Sequence, residues 1–257
     1  MNLNVAYDFL PKQTSSHAAV VMDHFGIGFD TGQHVIADEL ELPIETGDVV
    51  CFTGASGSGK SSLMRAAAAE LDGVLNVDSL DLGKNILVDS LGLPVKESMA
   101  LLSICGLGEA QLLLRTPLEL SDGQRYRFRL ALALSQNPQW ILADEFTATL
   151  DRTLAKVIAY NVGRTAARRG VGFLLATTHE DILDDLSPSL HVVCRLDGNI
   201  ITNRRESRWA ASGGNSSGKK KESASPPISK SPQPPSPTGR TSLGGIIAVT
   251  TSASRVT

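Results

Sequence analysis

The sequence predicts an α/β protein built on a mostly parallel sheet with flanking helices. Three observations carry that prediction. From roughly Asp23 to Asn203 short apolar runs alternate with longer stretches of helical periodicity, the pattern of strands joined by covering helices. A glycine-rich stretch, "GASGSGKSS" from Gly54 to Ser62, lies between one such run and one such helix. Further on, "WILADE" (Trp140 to Glu145) ends four apolar residues on two adjacent carboxylates.

Each element has its own warrant. "DVVCFTG" reads as a buried strand running into the glycine loop, and "SSLMRAAAAEL" as the helix after it. "RYRFRLALAL" is a second helix, with Arg125 and Arg129 on a different face from Leu130, Leu132 and Leu134. "QWILADE" is another buried strand. "DRTLAKVIAYNVGRTAARRG" is a helix stopped by Gly170, and "VGFLLATTH" a third strand. "LHVVCRLDGNIITN" carries the Asp197-Gly198 pair of a hairpin turn between two β-like runs.

After Asn203 the pattern ends. "SGGNSSGKKKESASPPISKSPQPPSPTG" is rich in Ser, Pro, Gly and Lys and cannot bury enough apolar surface to offset its ordering entropy. The expected organisation is therefore a folded domain over 1–203 and a disordered basic tail over 204–257. Charge divides the same way: 15 Lys and Arg against 25 Asp and Glu up to Asn203, a net −10, then 9 against 2, a net +7. The tail's basic run offers only weak grounds for a nucleic-acid partner. Cys51, Cys105 and Cys194 form no CxxC pair and read as buried free thiols rather than a zinc cluster or a disulfide framework. With no leader and no apolar run of about 18 residues, the expected location is cytoplasmic.

The chemistry starts at Gly54, Ala55, Ser56, Gly57, Ser58, Gly59, Lys60, Ser61 and Ser62, which match the P-loop pattern. Its glycines let backbone N–H groups turn inward around phosphates, and the following helix adds its positive end. Lys60 would reach the β- and γ-phosphates of ATP, and the Ser61 hydroxyl would ligate Mg²⁺. Asp144 would hold the same Mg²⁺ from the tip of a neighbouring strand. If the chain bends there, Glu145 can face the γ-phosphate and position or deprotonate the attacking water.

The stretch between these motifs carries a resemblance. "LSDGQ", Leu120 to Gln124, resembles the LSGGQ signature of the ABC ATPases, and the Arg-rich helix and "WILADE" follow in that family's order. "TLD" (Thr149 to Asp151) looks like its D-loop, and His179 stands where the family has its switch histidine. The resemblance implies a two-lobed domain with a small antiparallel β part and a short helical lobe. It implies ATP hydrolysis with Lys60, Glu145 and His179 as catalytic residues. It also implies a head-to-tail homodimer in which Ser121, Gly123 and Gln124 of one copy meet ATP held by the other. Phe25 would stack on adenine, with Tyr7, Phe9 and Phe29 as weaker candidates.

Two departures stand out. Asp122 replaces the first signature glycine, and the family's Q-loop glutamine has no clear counterpart: Gln111 is too near the signature, and Asp89 matches by position alone. With only 60 residues between Lys60 and Ser121, this makes the ATP-binding subunit of a membrane transporter, with a separate permease, the less favoured alternative. The favoured reading is a stand-alone ATPase acting on an unknown protein partner. "ELSDGQRYRFRLA" and "DEFTATLDR" look closest to the soluble ABC ATPases associated with a predicted acetyltransferase domain.

Overall fold

The computed structural model describes residues 1–8, 13, 15–27 and 33–209. Phe9, Phe29 and the chain from residue 210 onward lie outside the described residues. Two strands, β1 (Asn2–Asp8) and β2 (Gln33–Glu41), pair antiparallel as a small sheet of their own, with helix α1 (Ser16–Phe25) between them in sequence. The main sheet begins with β3 (Val49–Thr53), followed by α2 (Lys60–Ala69) and β4 (Val74–Asn76). A helical stretch comes next: α3 (Leu87–Ser90), α4 (Val95–Ile104), α5 (Ala110–Leu113) and the longer α6 (Asp122–Ser135). The chain returns through β5 (Trp140–Ala143), α7 (Arg152–Arg169), β6 (Gly172–Thr177), α8 (Leu183–Leu186), β7 (Leu190–Cys194) and β8 (Ile200–Arg204).

The main sheet has six strands in the order β4, β5, β6, β3, β7, β8. All pairings are parallel except the last, where β8 folds back on β7 across a loop closed by Arg195 and Asn199. A parallel sheet covered on both faces needs strands that are apolar throughout. β3, β5 and β6 meet that condition, being buried at every position. Alternate residues serve opposite cores. Cys51, Ile141 and Phe173 pack with α4, α6 and α7. Phe52, Leu142 and Leu174 pack with Leu63 and Met64 of α2 and with Leu3, Val5 and Ile36 of the small sheet.

The helical lobe is fastened to this body by buried polar contacts as well as by leucines. Arg127 of α6 is 9% exposed and donates to the Gly106 and Gly123 carbonyls, bridging α4's end to α6's first turn. Asn161 of α7 donates to the Ile104 carbonyl at 2.7 Å. The guanidinium's fixed fork of donors suits such a bridge, since it can reach carbonyls of two segments at once.

The folded body continues past Asn203. Arg204 donates to the buried Asp48 carboxylate at 3.1 Å, beside a 2.7 Å bond from the Ser189 hydroxyl. Trp209 is 9% exposed and donates its indole N–H to the Leu186 carbonyl at 3.1 Å. The boundary drawn at Asn203 follows a drop in apolar density, whereas Arg204 and Trp209 are held by individual contacts that composition does not register. The three cysteines are free and buried, and burial pushes the Cys51 and Cys105 thiols up to about 12. Among the described residues no helix is long and apolar enough to cross a membrane.

Candidate functional site

The fully buried β3 delivers the chain to the glycine loop against the end of β7. Gly54 has φ +140°, and a Cβ there would stand 2.0 Å from the Cys194 carbonyl oxygen, so no other residue fits without moving the strand. The loop then turns into α2, whose first amides face the cleft as an anion site. Lys60 is 8% exposed and its ammonium donates to the Ala55 carbonyl at 2.7 Å, lying across the mouth of the loop. The Ser61 hydroxyl donates to Asp144 Oδ1 at 2.9 Å. These groups line a cleft of about 430 Å³ with Ser56, Gly57, Ser62 and Thr178, a volume in the range of small-ligand sites.

Asp144 follows the last residue of β5, its side chain only 13% exposed. The chain then bends sharply. Glu145 has φ +48° and its amide donates to Asp144 Oδ1 at 3.0 Å, while the Phe146 amide is fixed to the Ala176 carbonyl at 2.7 Å and its ring is fully buried. A left-handed conformation is costly for a residue with a Cβ. Here the buried Phe146 holds it, and the Glu145 carboxylate is left exposed on the cleft.

A second cleft of about 450 Å³ adjoins the first through Asp144 and Glu145 and is also lined by Arg65, Asp78, Arg129 and Tyr126. Asp78 is the residue that the sequence search missed. It lies just beyond β4, which pairs with β5, so it stands beside the acidic pair on the neighbouring strand. Its surroundings push its carboxyl above the ordinary value, first by desolvation, against the pull of Arg129, then through Asp144 and Glu145. Asp89 is exposed on α3 and Gln111 on α5, and neither lines a cleft with the acidic pair. "VLNVD" carried a usable signal, an apolar run ending in a polar side chain, but β4 is only three residues long.

The signature segment lies off the nucleotide-sized cleft. Ser121 caps α6: its Oγ accepts the Gln124 amide at 3.3 Å, and Gln124 Oε1 accepts the Ser121 amide at 3.1 Å. Gly123 lets the helix's first turn approach the D-loop, since a Cβ there would stand 3.0 Å from the Thr149 carbonyl oxygen. The Asp122 side chain is 88% exposed and 3.5 Å from Arg125, so it points outward and has a counter-charge. His179 is half-buried just beyond β6, its amide donating to the Thr177 hydroxyl at 3.1 Å; its neighbour Thr178 lines the first cleft, and His179 does not.

Phe25 departs from expectation. It ends α1, 73% exposed and edge-on to His24, and it does not line the cleft. Tyr7 does, because the antiparallel register places it opposite His34, the rings 5.2 Å apart.

Oxygen donors from Ser61 and Asp144, 2.9 Å apart, suit a hard cation such as Mg²⁺. No group of three His, Cys, Asp or Glu able to hold a metal occurs among the described residues.

No family model matches the chain. An aliphatic sulfonates import ATP-binding protein of Streptomyces avermitilis is 33% identical over 184 residues, covering 64% of this chain and 68% of the relative. A lipoprotein-releasing system ATP-binding protein of Bordetella avium is 26% identical over 221 residues, 70% of this chain and 95% of its own. Among solved structures, a dimeric ATP-binding cassette in a post-hydrolysis state with ADP and phosphate matches the fold with a TM-score of 0.57 at 18% identity, over 79% of this chain and 97% of that one. With a relative 33% identical over two thirds of its length and this fold, the chain belongs to the ABC-type ATPases, which bind and hydrolyse ATP.

Proposed function

We propose that the chain is an ATP-hydrolysing subunit that closes head to tail on a second copy around bound ATP and Mg²⁺ and drives a separate membrane permease. The observation that carries this reading is the pairing of Ser61 with Asp144 at 2.9 Å, between Lys60 and Glu145 in one cleft, while Ser121 and Gly123 lie outside it. A site divided in this way needs a second chain to supply the missing side. The transport systems named for both relatives support a membrane partner.

In the proposed reaction the loop amides and Lys60 hold the β- and γ-phosphates, and Ser61 and Asp144 hold the metal ion, which when bound neutralises charge on the phosphate oxygens. Glu145 accepts the proton of the water that attacks the γ-phosphorus as the bond to the bridging oxygen breaks, giving ADP and phosphate. Tyr7 takes the place assigned to Phe25 against the base, by its position on the cleft. Ser121 and Gly123 of the second copy approach the γ-phosphate with a helix N-terminus.

A second reading, the stand-alone ATPase resembling the acetyltransferase-associated branch, is favoured by Asp122 in the signature and Phe146 in "DEF". One experiment tests the reaction and another separates the readings. Mg²⁺-dependent hydrolysis by purified chain should show a specific rate that rises with protein concentration and falls at least ~100-fold in Glu145→Gln; a rate independent of concentration would count against the composite site. A chain recovered from cells with a multi-span membrane protein supports the permease reading, and one recovered wholly without it supports the second.

A further inference from the structure

We propose that Arg65 acts as a built-in counter-cation that Asp144 exchanges for the metal ion, and that Asp78 receives the displaced guanidinium. The inference rests on the nucleotide-site reading above and concerns residues to which that reading gives no role.

Ser61 and Arg65 are four residues apart on α2 and so project from one face of the helix toward the tip of β5. Both reach the same carboxylate. Asp144 Oδ1 accepts the Ser61 hydroxyl at 2.9 Å and the Glu145 amide at 3.0 Å, and Oδ2 accepts Arg65 Nη2 at 2.8 Å. Oδ1 is therefore saturated by two donors, and a cation that takes the remaining lone pair of Oδ2 meets the positive charge of the Arg65 guanidinium at that same oxygen. The pair is unequal. Asp144 is 13% exposed and fixed by two further bonds, whereas the Arg65 side chain is 65% exposed and makes no other hydrogen bond among the described residues. The arginine is the partner free to move.

A displaced guanidinium needs a destination, and the shared cleft contains one. Asp78 lines it with Arg65, Asp144 and Glu145. The Asp78 carboxylate has no hydrogen bond or ion pair among the described residues, although its backbone amide is bonded to Asn76. Arg129 faces it across the cleft, but its guanidinium comes from α6 and makes no ion pair with it within 4.0 Å. Asp78, Asp144 and Glu145 line one cleft, and moving Arg65 from Asp144 to Asp78 keeps the arginine paired as the ion arrives.

The test measures metal binding without turnover. Mn²⁺, which reports its own bound fraction through its electron paramagnetic resonance signal, is titrated into full-length protein at fixed ADP, for wild type, Arg65→Gln, Arg65→Lys, Asp78→Asn and the Arg65→Gln/Asp78→Asn double variant. All are checked first for wild-type circular dichroism. Removing an exposed ion pair of about 1 kcal/mol corresponds to about five-fold. Arg65→Gln should therefore lower the Mn²⁺ concentration for half-occupancy about five-fold, Arg65→Lys should leave it near wild type, and Asp78→Asn should raise it. The double variant should match Arg65→Gln alone, because without the arginine no receiver is needed. Weaker Mn²⁺ binding in Arg65→Gln would overturn the exchange, and so would a double variant in which the two single effects simply add, since Asp78 would then act on the ion directly. Wild-type protein that shows no ADP-dependent Mn²⁺ binding would instead sink the reading of the site itself.

Discussion

His191 shows how single side chains set this molecule's response to its surroundings. Its Nε2 lies 2.8 Å from the Thr53 hydroxyl, which donates its one proton to Glu180 at 3.2 Å. A proton on Nε2 lets the ring donate to the Thr53 hydroxyl while that hydroxyl donates to Glu180. Burial lowers the His191 pKa despite the nearby Glu180 carboxylate. The folded chain therefore resists a proton that the unfolded chain takes up near its ordinary pKa of about 6.5, and stability falls as pH drops through that value. The melting temperature should decline from pH 7 toward pH 5.5, and His191→Gln should flatten that part of the profile; an unchanged slope would exclude His191 as the cause. At this scale the sequence was legible where chemistry is tied to a motif, as at Lys60, Ser61 and Asp144. It was not legible for Asp78, and it ranked Tyr7 below Phe25, because the place of both Tyr7 and Asp78 on the clefts depends on strand pairings made across the fold.

Among the elements, α6 carries the most constraint in its first turn. Ser121 and Gln124 satisfy each other's amides, Asp122 stands at the positive end of the helix, and Gly123 presses on the D-loop carbonyl. Ser121→Ala should cost about 1 kcal/mol of stability through the lost cap, measured by denaturant unfolding, in addition to any effect on ATP hydrolysis; an unchanged midpoint would mean that the cap is dispensable. The strands and helices read from the sequence were long runs with their own punctuation, such as α7, whose cap Asp151 accepts the Leu154 amide at 2.9 Å and whose stop Gly170 has φ +68°. The small antiparallel part was expected through the family resemblance, but its strands β1 and β2 were not located, because their register joins Asn2 to Glu41, a contact that local periodicity does not encode.

On the scale of the whole molecule, the fold takes a buried aromatic anchor, Trp209, from late in the chain. Trp209 meets the Tyr160 ring edge-on at 4.7 Å and packs where α7 has Gly163, whose Cβ would otherwise stand 2.5 Å from the indole nitrogen. A chain ending at Asn203 loses this indole and the Arg204 bond to Asp48. At about 3 kcal/mol for a buried tryptophan, its melting temperature should fall by roughly 10 °C. A chain ending at Trp209 should melt within about 1 °C of full length, and equal losses in both truncations would place the stabilising residues beyond 209.

The contact between Gly54 and Cys194 leaves no room for a methyl group, although 140 residues separate the two in the chain. The back wall of the phosphate loop is therefore supplied by the closing hairpin, long after the last recognisable motif at His179. A minimal fragment chosen by its motifs would contain every word of the nucleotide site and still lack the page on which they are written.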